Sequence, residues 1–468
     1  MARRTKIIRL PISKQIDINY RNYALYVLEK RGIPSWYDGL TNVQRLIMLN
    51  ASASFDKTMT LVGSCIKDGY HHGDKSLAGA INKLARPFGC SEPMLIGDGF
   101  FGSPVDTEAA AARYTSVKVN SRFANIIKEN NFLNEKDDEG TWKPLWVNYP
   151  IGMVTSIVGI AVGYKTTILP RKFEDIQKYF EGKIKKVEPY FADFTGTVER
   201  YQGMDKTWLI SGDVEINDRK KTITIKDIPP LIKFNRFLKK LDKLVESHGG
   251  KCTILNNSST KVDMELKFTG YKQDWPNFSQ SVQKACQILV TETPIFIKDN
   301  LVIQYEKIED YLDDFKYRQA QLELERNRYF LDQTDWELEF NRAKKLYLEF
   351  MLQKKRKDAE IDKFLSKFDK RISSRLNGIL LRHLSDEELK RTIAKIKELE
   401  KKQKDLQKQV TKLEKSFAKL TDTAMSRGVK NKSSKDLFDE LENINGIDVF
   451  SGMDDDNDGE DFDPSNID

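Results

Sequence analysis

Apolar side chains Ile16, Tyr20, Tyr23, Ala24 and Val27 recur at helical spacing, and Gly32 and Pro34 end the run, which predicts an N-terminal helix over 15–31. Between Asn42 and Phe88 three short amphipathic segments alternate with turn formers, a pattern compatible with a helix-turn-helix type unit. A glycine-rich loop over 89–106 leads into TEAAAARY, whose small residues predict a helix start at 107–114. Residues 146–170 are the most apolar stretch, and β-branched residues punctuated by glycine predict buried strands joined by tight turns.

From about 175 to 305 the alternation in TWLISGDVEI, KTITIKDI and STKVDMELKF predicts strands, and FNRFLKKLDKLVESHGG a helix, so this region reads as an α+β insertion. Residues 306–355 carry no Gly or Pro and begin a helical stripe at Ile308, Tyr311, Leu312 and Phe315. The strongest periodicity lies at 385–420. Ser385 with Glu388 reads as a capping box, which satisfies the free N–H groups of a helix start. Ile396, Leu399, Gln403, Leu406, Val410, Leu413, Phe417 and Leu420 then alternate steps of three and four, the a/d spacing of a coiled coil. A helix over 389–420 is about 48 Å long, so its stripe needs a partner, and 306–355 is the natural one. The basic stretch 356–384 between them is a helical tip suited to a dimer contact.

The 468 residues suggest roughly three structural units at about 150 residues each. A chain with 39% apolar and 31% charged residues is neither collagen-like nor wholly disordered. The net charge is +7, yet residues 451–468 hold eight acids and no base, so the rest is more basic than the total shows. A basic body with an acidic end favours a polyanionic partner such as nucleic acid. The four cysteines, Cys65, Cys90, Cys252 and Cys286, have neither disulfide-framework nor zinc-ribbon spacing and read as packed thiols. No window approaches 18 uncharged apolar residues, so no membrane span is expected.

Catalytic candidates are few. Of the four histidines, His71 and His72 are adjacent in GYHHGD without a second pair to complete a metal site, and His248 and His383 lie in charged helical segments. Asp454, Asp456, Asp458 and Gly459 match the first half of a calcium loop, but Ser465 stands where its last carboxylate should be. No GxxxxGK[ST] is present, so no ATP site of that type is visible. One constellation stands out: Arg113-Tyr114 after four alanines and the glycine loop. A phenol beside a guanidinium can attack a phosphodiester when the cation favours phenolate and stabilises phosphoryl charge. Taken alone, such a segment more often holds a tyrosine that packs at a helix edge.

IPSWYDGLTNVQR (33–45), GYHHGDKSL (69–77), GDGFFGSPVDTEAAAARYT (97–115) and GIAVGYKTTILP (159–170) occur in the order and spacing of the cleavage-reunion core of type IIA DNA topoisomerases. The chain resembles that family, in particular its gyrase branch, over about 30–170. The resemblance implies an α+β multidomain fold. An N-terminal helical arm (1–29) precedes a winged-helix DNA-binding domain (30–174) and an α+β tower domain (175–305). A long coiled-coil arm (306–425) with a helical dimerisation gate at 356–384 follows, and then an acidic, disordered tail (426–468).

By the same resemblance Tyr114 is the nucleophile that forms a transient 5′-phosphotyrosine bond, Arg113 its neighbouring catalytic arginine, and His72 and Arg45 assist at the phosphate. Ile160 is the wedge that bends DNA, and Lys75 and Ser76 are DNA-binding positions. The implied function is breakage and rejoining of DNA in an ATP-dependent type II topoisomerase. Its implied partners are double-stranded DNA, a second copy of the chain, and an ATPase/Toprim subunit that holds Mg²⁺ and binds ATP in a heterotetramer or larger assembly. Cytoplasmic residence, in a bacterium or a phage-infected host, is the matching expectation. The sequence departs from the motif at Thr41 and Asn42, where Lys and Pro are usual, and at Phe100, where Asn is usual. A noncatalytic DNA-bridging protein on the same layout is the alternative; a purely structural scaffold is a third reading and predicts no steep salt dependence of DNA binding.

Overall fold

Thr41 opens the first helix with a full capping box: its hydroxyl accepts from the Gln44 N–H, and the Gln44 side chain accepts from the Thr41 N–H. The computed structural model describes residues 16, 19–20, 23–24, 26–299, 301–353, 357–379, 384–425 and 431–432. Helices α1 (Asn42–Asn50), α2 (Thr58–Lys67) and α3 (Asp74–Ala85) are the three amphipathic segments, and they bury Ile47, Leu61, Cys65, Leu77 and Ile81. An antiparallel sheet with order β1 (Asp56–Lys57), β3 (Ser116–Val119), β2 (Leu95–Asp98) accompanies them, completing a winged-helix layout.

Ahead of α1 the described residues between Ile16 and Val27 are helical, and the run ends in a π-helical turn, Leu28–Gly32. Of the stripe read from the sequence, Ala24 is buried, but Ile16, Tyr20 and Tyr23 are all more than half exposed. The expected helix start at TEAAAARY is absent. Residues 107–111 are irregular and Ala112–Tyr114 form a turn. Their backbone groups bond to neighbouring segments instead: the Ala110 N–H donates to the Phe100 carbonyl and the Ala112 carbonyl accepts from the Met59 N–H. Small residues favour a helix only when no stronger competitor claims those groups.

The apolar stretch 146–170 forms a 3₁₀ turn, Ile151–Val154, and the hairpin β4 (Ile157–Ala161) and β5 (Tyr164–Ile168). It is buried on one face only: Ile157 and Ala161 point inward, whereas Val158 and Ile160 stand outward. After α4 (Ser121–Glu129) and α5 (Phe173–Phe180) come two sheets. The three-stranded one has order β12 (Gln287–Thr291), β7 (Thr207–Ser211), β6 (Thr197–Arg200); the four-stranded one has order β10 (Cys252–Asn256), β11 (Met264–Phe268), β9 (Thr222–Ile225), β8 (Val214–Asn217). Helices α6 (Phe234–Ser247) and α7 (Trp275–Ala285) join the second sheet in one core around Ile223, Phe237, Leu266 and Phe278. His248 ends α6 with its ring Nδ1 2.9 Å from the Leu244 carbonyl, a structural role.

The chain divides into two units, residues 1–316 with 428–468, and residues 317–427. β13 (Ile295–Lys298) and β14 (Leu301–Gln304) belong to the first, where β14 also pairs with β15 (Asn431–Lys432). Of the segment 426–468, expected as an acidic disordered tail, only Asn431–Lys432 are among the described residues; the acidic residues 451–468, and His383, lie outside them.

The second unit is the arm. The 46-residue α8 (Ile308–Gln353) enters it, α9 (Asp358–Leu365) and α10 (Lys370–Asn377) form its tip, and the 40-residue α11 (Asp386–Met425) returns. The Glu388 N–H donates to the Ser385 hydroxyl, one half of the expected box. Leu399 and Val410 of the heptad stripe are buried, and Leu406, Leu413 and Phe417 pack with Leu324 and Leu331. Arg342–Glu400 and Arg328–Glu414, each 2.8 Å, run in opposite sequence directions, so the pair is antiparallel. The polar heptad residue Gln403 donates to Asp335 at 2.7 Å, a pairing that fixes register.

All four cysteines are free. Burial pushes the thiols of Cys65, Cys90 and Cys286 up to about 12 and that of Cys252 to about 11. At pH 8 a thiol reagent such as Ellman's is expected to react far faster with the urea-unfolded chain than with the native one. Rapid labelling of all four native thiols would contradict this packing.

Candidate active site

Tyr114 is 72% exposed, an unusual position for a large aromatic side chain, and everything around its backbone is anchored. The next residue, Thr115, is fully buried; its carbonyl accepts from the Thr58 N–H at 3.0 Å and the two hydroxyls meet at 2.7 Å. Those bonds tie the start of β3 to the N-terminal end of α2. Gly99, with φ +108°, passes so close to Thr115 that a Cβ would come within 3.3 Å of its methyl group. The Phe101 ring fills the place where a Cβ on Gly97 would lie, whereas Phe100 is exposed. The Arg86 guanidinium donates to the Thr107 carbonyl at 2.7 Å, and Val105 packs against the four-stranded-sheet core. A rigid loop therefore presents a solvent-facing phenol. Arg113 is beside it, its guanidinium carbon 5.9 Å from the ring centroid.

His72 sits at the other end of α2, in the turn before α3. Its Nε2 is 3.0 Å from the Tyr26 hydroxyl, and an Arg31 guanidinium nitrogen lies 2.8 Å from the imidazole. His71 is exposed. Tyr26, Arg31, Tyr70, His72 and Trp142 line part of a cavity of about 290 Å³. Because α2 has ten residues, its ends are about 15 Å apart, so the fold assigns Tyr114 and His72 to opposite ends of one helix. Arg31 and Tyr26 escaped the sequence reading, which saw only the C-terminal end of a helix there. Their partner lies more than 40 residues away, beyond any periodicity; the one local signal was a basic residue directly before Gly32.

Arg45 is turned inward. It is 1% exposed, and its guanidinium bonds Asp38 through two nitrogens at 2.8 and 3.2 Å and Asn42 at 2.7 Å. Asp38 in turn accepts from the Leu40 and Leu145 N–H groups. In this geometry Arg45 holds the loop before α1 and offers no nitrogen to a phosphate.

Lys75 and Ser76 occupy the first turn of α3, Lys75 exposed and Ser76 half-buried, where helix N–H groups favour an anion. Ile160 is 50% exposed, on the outward face of β4 with Val158. Behind it the backbones of Gly32 and Gly159 touch so closely that a Cβ on Gly159 would collide with the Gly32 carbonyl. The apolar side chain thus stands on a stiff support.

Asp68, at the C-terminal end of α2, clamps the turn around Asp137–Gly140: its carboxylate accepts from Lys136 at 2.6 Å, Trp142 at 2.7 Å and Asn50 at 2.9 Å. Partial burial acts to raise its pKa, but the hydrogen bonds from Lys136, Trp142 and Asn50 outweigh it and hold the carboxyl below its ordinary value. A depressed folded-state pKa adds stability above the unfolded value that is lost as pH falls through the folded one. Acidification below about pH 4 is therefore expected to loosen this clamp, visible as a change in Trp142 fluorescence that Asp68→Asn abolishes.

The family model for the A-type subunit of DNA gyrase/topoisomerase IV matches residues 31–425. The chain is 29% identical to the DNA topoisomerase medium subunit of Enterobacteria phage T4 over 248 residues, 50% of this chain and 55% of that one. It is 32% identical to the A-type subunit of DNA topoisomerase 4 from Salmonella typhimurium over 185 residues, 36% of this chain and 24% of that one. The matched region thus spans about half of the phage relative's length and about a quarter of the bacterial one's. The topoisomerase II DNA-binding, cleavage and re-ligation domain of Plasmodium falciparum shares the fold, with a TM-score of 0.67 and 21% identity over 87% of this chain and 64% of that one. With more than four-fifths of its length inside one family model, the chain belongs to the family of A-type subunits of DNA gyrase/topoisomerase IV.

Proposed function

We propose that this chain breaks and rejoins DNA as one component of a type II topoisomerase, with Tyr114 as nucleophile. The Tyr114 oxygen attacks a backbone phosphorus, the P–O3′ bond breaks, and the 3′-oxygen leaves carrying a proton while the phenol loses its own. A 5′-phosphotyrosine forms and the reverse step reseals the strand. The exchanged phosphodiesters are of similar energy, so neither step consumes nucleotide. The observation that carries this reading is an exposed phenol beside a guanidinium on a loop pinned by buried contacts.

Two copies of the chain are needed. Tyr114 and His72 lie at opposite ends of α2, so a second chain laid antiparallel along that helix would bring the partner subunit's Arg31–His72 pair to each tyrosine. Support comes from the face of α2 itself: Met59 and Ile66 are each nearly half exposed, and Gly63 between them has open space around it. In this arrangement Arg113 and the Arg31–His72 pair stabilise phosphoryl charge, and Arg45 is a positioning residue. Lys75 and Ser76 hold the backbone, and Ile160 unstacks a base step to bend the duplex. The proposed domains are winged helix to 174, tower to 305 and arm to 425, with the arm tip as a second dimer contact.

Among the described residues no three His, Cys, Asp or Glu side chains gather as a metal site. In this reading Mg²⁺ and ATP belong to an ATPase/Toprim subunit. Among the described residues no helix is long and apolar enough to cross a membrane. The cytoplasm is the proposed setting on the likeness to bacterial and phage topoisomerase subunits. The test is denaturant trapping on duplex DNA with Mg²⁺ and that ATPase-bearing partner, followed by peptide mapping. DNA attached at Tyr114 is the expected result; attachment elsewhere, or none, rejects the assignment.

A further inference from the structure

Charges on α11 are sorted by face. Glu388, Glu400 and Glu414 reach Lys344, Arg342 and Arg328 of α8 at 2.6, 2.8 and 2.8 Å. Lys397, Lys401, Lys404, Lys408, Lys412 and Lys415 instead fall within about 60° of one line along the helix, at about 100° per residue, and all are exposed. Among the described residues none of these six has an ion-pair partner; Thr411 lies between them, and the exposed Asp405, four residues after Lys401 and three before Lys408, borders the row. An ordinary solvated helix face mixes signs, as α8 does with Arg328–Glu325 and Lys345–Glu349. One bordering carboxylate, Asp405, leaves these six charges in net repulsion, which a polyanion laid along them relieves.

We propose that this lysine face is a second duplex-binding surface, carried by the arm and separate from the Tyr114 loop. The six lysines extend over about 27 Å, a length of duplex axis that carries about sixteen phosphate charges on its two strands, so the row faces a dense polyanion wherever either backbone passes it. A lipid surface fits worse. An interfacial helix needs an apolar face beside its lysines, and the apolar face of α11 is already packed on α8 through Val410, Leu406, Leu413 and Phe417. The choice of duplex DNA rests on the function proposed above.

Sedimentation of the full chain titrated with a labelled duplex of about 40 base pairs separates a first bound duplex from a second. Replacing Lys404, Lys408, Lys412 and Lys415 together with Gln is expected to flatten the salt dependence of the second step, lowering its log–log slope by about three to four. Between 50 and 200 mM salt the unaltered chain then loses about 10²-fold more second-duplex affinity than the variant. Arg at the same four positions keeps the original slope. If the fourfold Gln chain fails to fold, Lys408→Gln and Lys412→Gln alone are each expected to lower the slope by about one. An unchanged slope in the folded Gln variants overturns the proposal, as does loss of binding to phosphatidylserine vesicles with duplex binding intact. Trapping on the same preparations, with Mg²⁺ and the ATPase-bearing partner added, tests Tyr114 independently: failure to form an adduct sinks the cleavage reading and leaves the slope to judge the arm.

Discussion

Tyr114→Phe removes one oxygen and is expected to lower covalent DNA adduct by more than about 10⁴-fold, with duplex binding unchanged. The side chain is largely exposed and its hydroxyl supports no packing, so circular dichroism and thermal unfolding should match the unaltered chain. His72→Ala is expected to slow adduct formation about 10²-fold if the proposed role of His72, stabilising charge at the phosphate, holds. Mixing the two defects decides how the site is assembled. In a dimer of one Tyr114→Phe chain and one His72→Ala chain, sites built across the two-fold give one doubly defective site and one intact site. Half of the usual adduct then forms at the normal rate. Sites built within one chain give one dead and one slow site, so no adduct forms at the normal rate. Two-tag purification of the mixed dimer makes the rates separable. Full adduct from Tyr114→Phe homodimers would end the tyrosine assignment.

How far the sequence could be read follows from which forces act locally. The arm was legible because a/d spacing is a local signal: Leu399 and Val410 are buried where the heptad puts them, and Gln403 finds a polar partner across the seam. The strands around Trp208, Ile223 and Leu266 were legible because alternation survives wherever one face of a sheet is buried. Tertiary competition hid the rest. The alanines before Tyr114 favour a helix by propensity, yet their backbone groups bond Phe100 and Met59, which are distant or neighbouring only in space. Ile16, Tyr20 and Tyr23 repeat like a core stripe but stay exposed, since periodicity shows that a face is apolar and not what covers it. For the candidate site, motif order located Tyr114 and His72 but could not reveal that Arg45 is sealed by Asp38, or that Arg31 is the cation touching His72.

The largest expected stability loss lies away from the proposed chemistry, at Arg171 and Glu292. Both side chains are almost wholly buried, and the guanidinium meets both carboxylate oxygens at 2.9 and 2.7 Å. Arg171 also donates to the Val187 and Leu169 carbonyls, while Glu292 accepts from the Leu169 N–H and the Trp208 indole. One ion pair therefore joins the strand leaving β5 to the β12–β7–β6 sheet. Glu292→Gln keeps most of the shape but leaves a buried guanidinium without its counter-charge, a change expected to cost about 3–5 kcal/mol. Arg171→Met leaves the carboxylate unpaired and should cost a similar amount. The double change, Arg171→Met with Glu292→Gln, removes both charges, leaves an amide oxygen to accept from Leu169 and Trp208, and is expected to be less destabilising than either single change, because neither ion remains to be desolvated. Urea unfolding followed by Trp208 fluorescence would measure all three. If the double variant instead loses the sum of the single losses, the pair acts as two independent contacts, and the network is no electrostatic unit.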